Sequence, residues 1–242
     1  MPSKYYQAGS ERAAKVEDLF AAVAPRYDLI NDLQSFGMHR LWKRRFLRLA
    51  EVRPGDRALD VCCGTGDIAL ALAQRGAQVT GADFSEPMLA VARRRAQTVA
   101  SQNQPLPAFQ QADALQLPFP SESFDLVTIA YGLRNLADFD HGLNELKRVL
   151  APGGRLLILD FGIPDNSVWR ATYFAYLATA APLLGHLFCG DQDTHSYILD
   201  SLKAYPAQRG VDAWFRTHGM TGVRLVNIMG GAMSINLARK PA

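Results

Sequence analysis

Along the middle of the chain, short apolar runs alternate with stretches whose apolar positions recur at helical spacing. The first run is Arg57–Cys63 (RALDVCC). It closes on Gly64-Thr65-Gly66, and Asp67–Arg75 then has helical periodicity. Ala77–Asp83 (AQVTGAD) predicts a second strand. Ser85 follows as a helix cap, with Glu86 and Pro87 in the first turn of a helix running to Ala100. Phe109–Ala114 predicts a third, weaker strand and Phe124–Ala130 (FDLVTIA) a fourth. A helix from about Asp138 to Leu150 meets a strong break at Pro152-Gly153-Gly154, and Arg155–Phe161 (RLLILDF) predicts a fifth strand. Apolar strands alternating with helices make a parallel sheet covered on both faces. Val223–Met229 and Ser234–Arg239 flank a turn containing Gly230-Gly231 and predict a closing β-hairpin. The expectation is an α/β, Rossmann-like fold: a mostly parallel seven-stranded sheet ending in that hairpin.

The 242 residues suit one domain of this kind. Residues 1–50 predict a helical N-terminal cap, 51–162 a ligand-binding core, 163–210 a helical insertion over the substrate, and 211–242 a C-terminal helix and hairpin. Both flanking segments are expected over the carboxyl ends of the strands, where open α/β sheets bind ligands. Ala171–Gly190 contains no Asp, Glu, Lys or Arg. Pro182 interrupts it near the middle, so it reads as buried or interfacial helix rather than a membrane span.

A net charge of +3 is too small to indicate nucleic acid as a partner. The basic residues are nonetheless clustered: His39, Arg40, Lys43, Arg44, Arg45 and Arg48 crowd one segment, as a solvated helix face or as a contact with an anionic membrane surface. Cys62, Cys63 and Cys189 form no C-x-x-C pair, which suits a reducing, cytoplasmic compartment and indicates no metal site.

The strongest local chemistry lies in Asp60-Val-Cys-Cys-Gly64-Thr-Gly66-Asp67. Glycines at a strand-to-helix turn admit a ligand close to the backbone, and dinucleotide enzymes use the same device. Here Asp60 and Asp67 flank the turn. Two carboxylates repel a pyrophosphate but favour S-adenosylmethionine, which carries a sulfonium and an ammonium. Asp83, ending the second strand, can accept hydrogen bonds from ribose hydroxyls. Asp113 can accept one from an adenine amino group, or simply cap its own loop. After the fourth strand, Ala130-Tyr131-Gly132-Leu133-Arg134-Asn135 places an arginine and an asparagine near the expected methyl group. No Gly-x-Ser-x-Gly supports a serine hydrolase.

Several longer strings carry a resemblance. Tyr27-Asp28-Leu-Ile-Asn31-Asp32-Leu-Gln-Ser35-Phe36-Gly37-Met-His39-Arg40-Leu-Trp42-Lys43 is the most specific. Cys63-Gly64-Thr65-Gly66-Asp67, Leu117-Pro118-Phe119, Gly132-Leu133-Arg134-Asn135 and Arg148-Val149-Leu150-Ala-Pro152-Gly153-Gly154 accompany it. Together they resemble the ubiquinone/menaquinone biosynthesis C-methyltransferases, whose fold is that of class I S-adenosylmethionine-dependent enzymes. The resemblance implies methylation of a ring carbon of a prenylated quinol. It implies cofactor contacts at Thr65, Asp83, Asp113, Ala114, Ala130 and Tyr131, beside Asp60, Gly64 and Gly66. Arg134 and Asn135 would face the substrate and steady a developing oxyanion. Tyr27, Asp28, His39 and His195 are candidates for proton removal. A membrane-resident tail implies a cytoplasmic protein with peripheral membrane contact at the inner face, and the resemblance leaves a homo-oligomer open. Asp191, Asp193 and Tyr197 fit a family-like spacing, whereas Asn236 stands where a histidine is expected. The alternatives are methylation of another small molecule, or a cofactor-binding scaffold in a quinone-synthesis complex.

Overall fold

A computed structural model describes residues 31–32, 35–99, 105–179 and 193–242, with the side chains of 193–197 left aside. Tyr27, Asp28, Asp191 and the side chains of His195 and Tyr197 therefore lie outside the described residues. In chain order the elements are α1 (Met38–Leu49), β1 (Arg57–Val61), α2 (Asp67–Ala73), β2 (Gln78–Asp83), α3 (Glu86–Thr98), β3 (Ala108–Gln111) and β4 (Phe124–Ala130). A 3-10 turn (Leu133–Asn135), α4 (Phe139–Val149), β5 (Leu150–Phe161), α5 (Ser167–Ala178), α6 (Asp193–Ala204), α7 (Ala207–Thr217), β6 (Thr221–Ile228) and β7 (Met233–Arg239) follow.

The strands form one sheet in the order β3-β2-β1-β4-β5-β7-β6. The first five run parallel, and β7 lies antiparallel to both β5 and β6. The chain builds outward from β1 through β2 to β3, then crosses back to begin again at β4 beside β1. That reversal opens a crevice at the carboxyl ends of β1 and β4.

Alternation along the buried strands sorts the core into two layers. Leu156 and Ile158 join Leu143 and Leu146 of α4 and Val211 and Phe215 of α7. Leu157 and Leu159 face the other way, toward Phe46 and Leu47 of α1 and Ile68 and Leu72 of α2. Helices cover both faces because every second residue of β5 needs apolar company on its own side.

The differences from the predicted boundaries have local causes. β1 ends at Val61 because Cys62 turns into the left-handed region at φ 53°. The Pro152-Gly153-Gly154 break ends α4 but not the extended chain. β5 already begins at Leu150, and the glycines form an irregularity in register with β4, where Gly153 donates to the Lys240 carbonyl (3.0 Å) and Gly154 accepts from the Lys240 amide (3.0 Å). Only the first part of the uncharged stretch is described, at the end of the 12-residue α5. Among the described residues no helix is long and apolar enough to cross a membrane.

Arg155 ties α1 to the lower edge of the sheet. Its buried guanidinium donates to the Ala50 carbonyl (2.8 Å), to the Glu51 carbonyl and to the Asp56 carboxylate. Removing one partner of a buried ion pair strands the other, at a cost of about 3–5 kcal/mol. Arg155→Met is expected to lower unfolding free energy by that order in urea titrations. A change below about 1 kcal/mol would show that the anchor is dispensable.

Candidate active site

The carboxyl ends of β1, β2 and β4 and the turn after β3 converge on an open cleft of about 820 Å³. Cys62 and Gly64 line it from β1. Asp83, Phe84 and Ser85 follow from β2, and Met88 from α3. Asp113, Ala114 and Leu115 come from the turn after β3, and Ala130, Tyr131, Gly132, Asn135 and Leu136 from the turn after β4.

The carboxylates have different environments. Asp83 is fixed by backbone amides: Gly64 donates to its Oδ2 (2.8 Å) and Ser85 to its Oδ1 (2.9 Å). Burial raises its carboxyl pKa, and the amides oppose that rise. Asp60, only 1% exposed, accepts from Thr128 Oγ1 at 2.8 Å through Oδ1, while its Oδ2 is buried without a hydrogen-bond partner. Burial pushes this carboxyl up to about 7, against the pull of Thr128. Asp60 does not itself line the cleft but sits in β1 two residues before Cys62, which does, and a buried carboxylate with an unmatched oxygen there suits a cationic ligand. The hydroxyl of Ser85, on the cleft wall, is likewise buried and unmatched. Ser85 takes the extended backbone of a helix cap but makes no side-chain cap bond, so the predicted cap is positional only. These groups fit S-adenosylmethionine: Asp60 for its charge, Asp83 for a ribose, the apolar side chains of Phe84, Met88 and Leu115 for a flat base.

Asp67 corrects one step of the sequence argument. It does not act as a free charge at the glycine turn, because Lys43 of α1 reaches it (2.6 Å) and Arg95 of α3 also pairs with it. The electrostatic preference for a cation rests on Asp60 and Asp83. Thr65 is also turned inward: it is 3% exposed, bonds Arg95 through its hydroxyl (2.9 Å) and does not line the cleft. Gly66, at φ 84°, opens α2 where a Cβ would sit 3.1 Å from Ala92 and from Phe109. Asp113 both lines the cleft and caps its own turn by accepting from the Leu115 amide (2.9 Å).

The turn after β4 is held under constraint. Tyr131 has φ 61°, a region few side-chain-bearing residues occupy, and its amide donates to the Leu159 carbonyl (2.7 Å). The Tyr131 carbonyl accepts from Arg134 Nη1 (2.6 Å) and from Asn135 Nδ2 (3.1 Å). Arg134 is buried, pairs with Asp160 (2.8 Å) through the same nitrogen, and lies 4.7 Å from the Phe161 ring. The Arg134 amide also donates to Asp160 (3.1 Å). Asn135 lines the cleft and Arg134 does not.

His39 occupies the buried face of α1, bonded through Nε2 to Asp32 (2.8 Å), with Nδ1 buried and unbonded, and is not on the cleft wall. Asp32 also receives Arg40 (2.6 Å), and these partners hold its carboxyl well below the usual range. Asn236, in the position where a histidine was expected, is buried in β7 and donates to the Gln208 carbonyl of α7 (2.9 Å). It joins strand to helix away from the cleft wall. Thr128 and Asp160 are not singled out by the sequence, in which Ser85 reads only as a helix cap and Lys43 only as part of the basic cluster. The visible signals are a lone polar residue inside an apolar strand (Thr128) and a carboxylate ending one (Asp160).

Comparison with known proteins decides among the enzymes that share such a cleft. The model of the ubiE/COQ5 methyltransferase family matches residues 7–240. The chain belongs to the ubiE/COQ5 methyltransferase family. It is 43% identical to a demethylmenaquinone methyltransferase of Thermus thermophilus, over 92% of this chain and all of that protein. It is 41% identical to a ubiquinone/menaquinone biosynthesis C-methyltransferase of Ectopseudomonas mendocina, over 96% of this chain and 91% of that one. Among solved structures, a SAM-dependent methyltransferase of Thermotoga maritima superposes with a TM-score of 0.66 at 17% identity, over 92% of this chain and 99% of that one, which supports the fold. The protein is thus an S-adenosylmethionine-dependent methyltransferase.

Two outcomes follow for a family member built this way. A Cβ at Gly132 would fall 2.5 Å from the Cys62 Cβ, closer than atoms tolerate. Gly132→Ala is expected to weaken cofactor binding by at least tenfold in calorimetry. Cys62→Gly in the same chain should restore most of it, since glycine removes the clash and accepts the φ of 53°. Failure of that rescue would show that the two turns do not meet as described. The second outcome concerns Asp60. Its folded pKa is raised, so the carboxyl binds a proton that the unfolded chain releases, and stability contributed by this group falls as pH rises from about 4 to about 7. A cofactor cation reverses the preference. Cofactor binding near pH 6.5 should release about half a proton or more, read from calorimetry in buffers of different ionisation enthalpy. Asp60→Asn should abolish the release, and its persistence would move the titration elsewhere.

Proposed function

We propose that this family member methylates a ring carbon of a prenylated quinol, with demethylmenaquinol as a substrate. The family match over residues 7–240 carries the reading. The names of the related proteins support the head group: one is a demethylmenaquinone methyltransferase and the other serves ubiquinone and menaquinone synthesis, so menaquinone is common to both.

The bound cofactor supplies an electrophilic methyl group on a sulfonium. The protein's part is to position, desolvate and steady charge. Asp60 and Asp83 hold the donor at the β1–β2 side of the cleft, and the β4 turn forms the opposite wall. A quinol ring deprotonated at oxygen is itself the nucleophile. Its carbon would have to meet the methyl group in line, and Tyr131 and Leu136 of the β4 turn would wall the space it enters. Asn135, on the cleft wall with its Nδ2 bonded to the Tyr131 carbonyl, is the donor we assign to the ring oxygen. Arg134, engaged with Asp160 and the Tyr131 carbonyl, serves as a positioning residue that sets Asn135 and Tyr131 rather than touching the ring. The ring proton leaves after the carbon–carbon bond forms. Of the four candidates for accepting it, His39 is the one with a described side chain, and it lies off the cleft wall. The tail keeps the substrate in a bilayer, so the protein meets that membrane peripherally.

Reduced demethylmenaquinone and the demethylated ubiquinone precursor, offered side by side in micelles with labelled cofactor, test the proposal. Methyl transfer to the naphthoquinol is expected. Asn135→Ala should lower kcat by about 10–100-fold, with a smaller change in KM, as loss of an oxyanion donor does. Cofactor binding without transfer to either quinol would overturn the proposal in favour of a scaffold.

A further inference from the structure

The α1 helix has two unlike faces. His39, Phe46 and Leu47 are buried against the sheet. Met38, Leu41, Arg44, Arg45 and Arg48 share the opposite, exposed face at spacings of three and four residues. Leu41 is 55% exposed, and Phe36, in the turn that leads into the helix, is 77% exposed. The helix carries five basic residues, Arg40, Lys43, Arg44, Arg45 and Arg48, and no acidic one. Two of the five are spent internally, Arg40 on Asp32 and Lys43 on Asp67. Among the described residues no carboxylate pairs with Arg44, Arg45 or Arg48. What sets this face apart is the combination of Leu41 and Met38 with three arginines, Arg44, Arg45 and Arg48, on one side of a single helix. Apolar side chains set among cations have the composition that an anionic bilayer interface rewards.

We infer that this face of α1 is the membrane-docking surface of the protein, with Arg44, Arg45 and Arg48 on lipid phosphates and Leu41, Met38 and Phe36 entering the acyl boundary. The inference rests on the reading of a bilayer-resident quinol and deepens it. The surface is also joined to the site. Lys43, on the same helix, pairs with Asp67 at the start of α2 and lies 6.0 Å from the ring centroid of Tyr131. A helix seated on lipid therefore places the β1 and β4 turns close to the surface from which the substrate comes.

The test is flotation of the full chain with vesicles of phosphatidylcholine alone or mixed with phosphatidylglycerol. Binding to the anionic vesicles only is expected, falling steeply with added salt. Each basic residue near such a surface is worth about a factor of five, so Arg44→Gln/Arg45→Gln/Arg48→Gln should lose roughly a hundredfold in partitioning. Leu41→Ser, an exposed change that does not threaten the fold, should weaken binding independently. Both variants should methylate a short-tailed quinol in solution at the parent rate. Parent-like flotation of the arginine variant, equal binding to neutral vesicles, or arginine-dependent binding to RNA but not to lipid would each overturn the docking surface. A parent that methylates the short-tailed quinol yet never floats would overturn it while leaving the substrate reading intact. Arginine-dependent flotation without transfer to any quinol would do the reverse.

Discussion

The Arg134 guanidinium and the Asp160 carboxylate are both withdrawn from water, and neither is tolerable there without the other. Their pairing fixes more than two side chains. Asp160 is near the end of β5, Arg134 lies in the turn after β4, and the same guanidinium nitrogen holds the Tyr131 carbonyl. That bond keeps Tyr131 at a φ its side chain disfavours, and brings Gly132 against Cys62 across the gap between the two central strand ends. The wall of the cleft is held by this buried pair together with the Tyr131 amide on the Leu159 carbonyl and Asn135 Nδ2 on the Tyr131 carbonyl. Packing alone would let this turn relax toward ordinary backbone angles, and the cleft would lose its shape.

On the other side of the cleft the constraint is a missing partner. Asp60 is buried with Thr128 bonded to Oδ1 and no side-chain partner on Oδ2 among the described residues, and burial raises its proton affinity against the pull of Thr128 and the Ala69 backbone. A cation entering the cleft restores the charged form in a medium where electrostatic interactions are strong. Asp67, by contrast, is matched by Lys43 and Arg95 before any ligand arrives. Two carboxylates seven residues apart thus have opposite duties. Asp67 ties α1 and α3 together through Lys43 and Arg95, whereas Asp60 has no basic side chain bonded to it among the described residues.

Much of this was legible in the sequence, and the limits are instructive. Four of the five parallel strands were visible as apolar runs, β3 (AFQQ) only weakly and displaced toward Ala114, and the hairpin because two alternating runs flank paired glycines. Asp83, Asp113 and Asn135 were found because polar residues at strand ends sit on the cleft wall by topology alone. Arg134 was legible as important but not as structural, since its partner Asp160 lies 26 residues away on another strand. The same holds for Lys43 with Asp67, 24 residues apart. Pairings between elements depend on how helices are laid against the sheet, which local periodicity does not encode. The Pro152-Gly153-Gly154 break misled for a related reason: it lies inside β5, because a partner strand can carry extended chain through a sequence that alone would stop it.

The claim on which the account depends is that carbon, not oxygen, receives the methyl group. A cofactor with a deuterated methyl group, turned over with demethylmenaquinol and the product examined by mass spectrometry and proton NMR, measures this directly. The account predicts three deuterons gained, one aromatic ring proton lost and both ring oxygens unmethylated. A product that keeps its ring proton and carries the label on oxygen would contradict it.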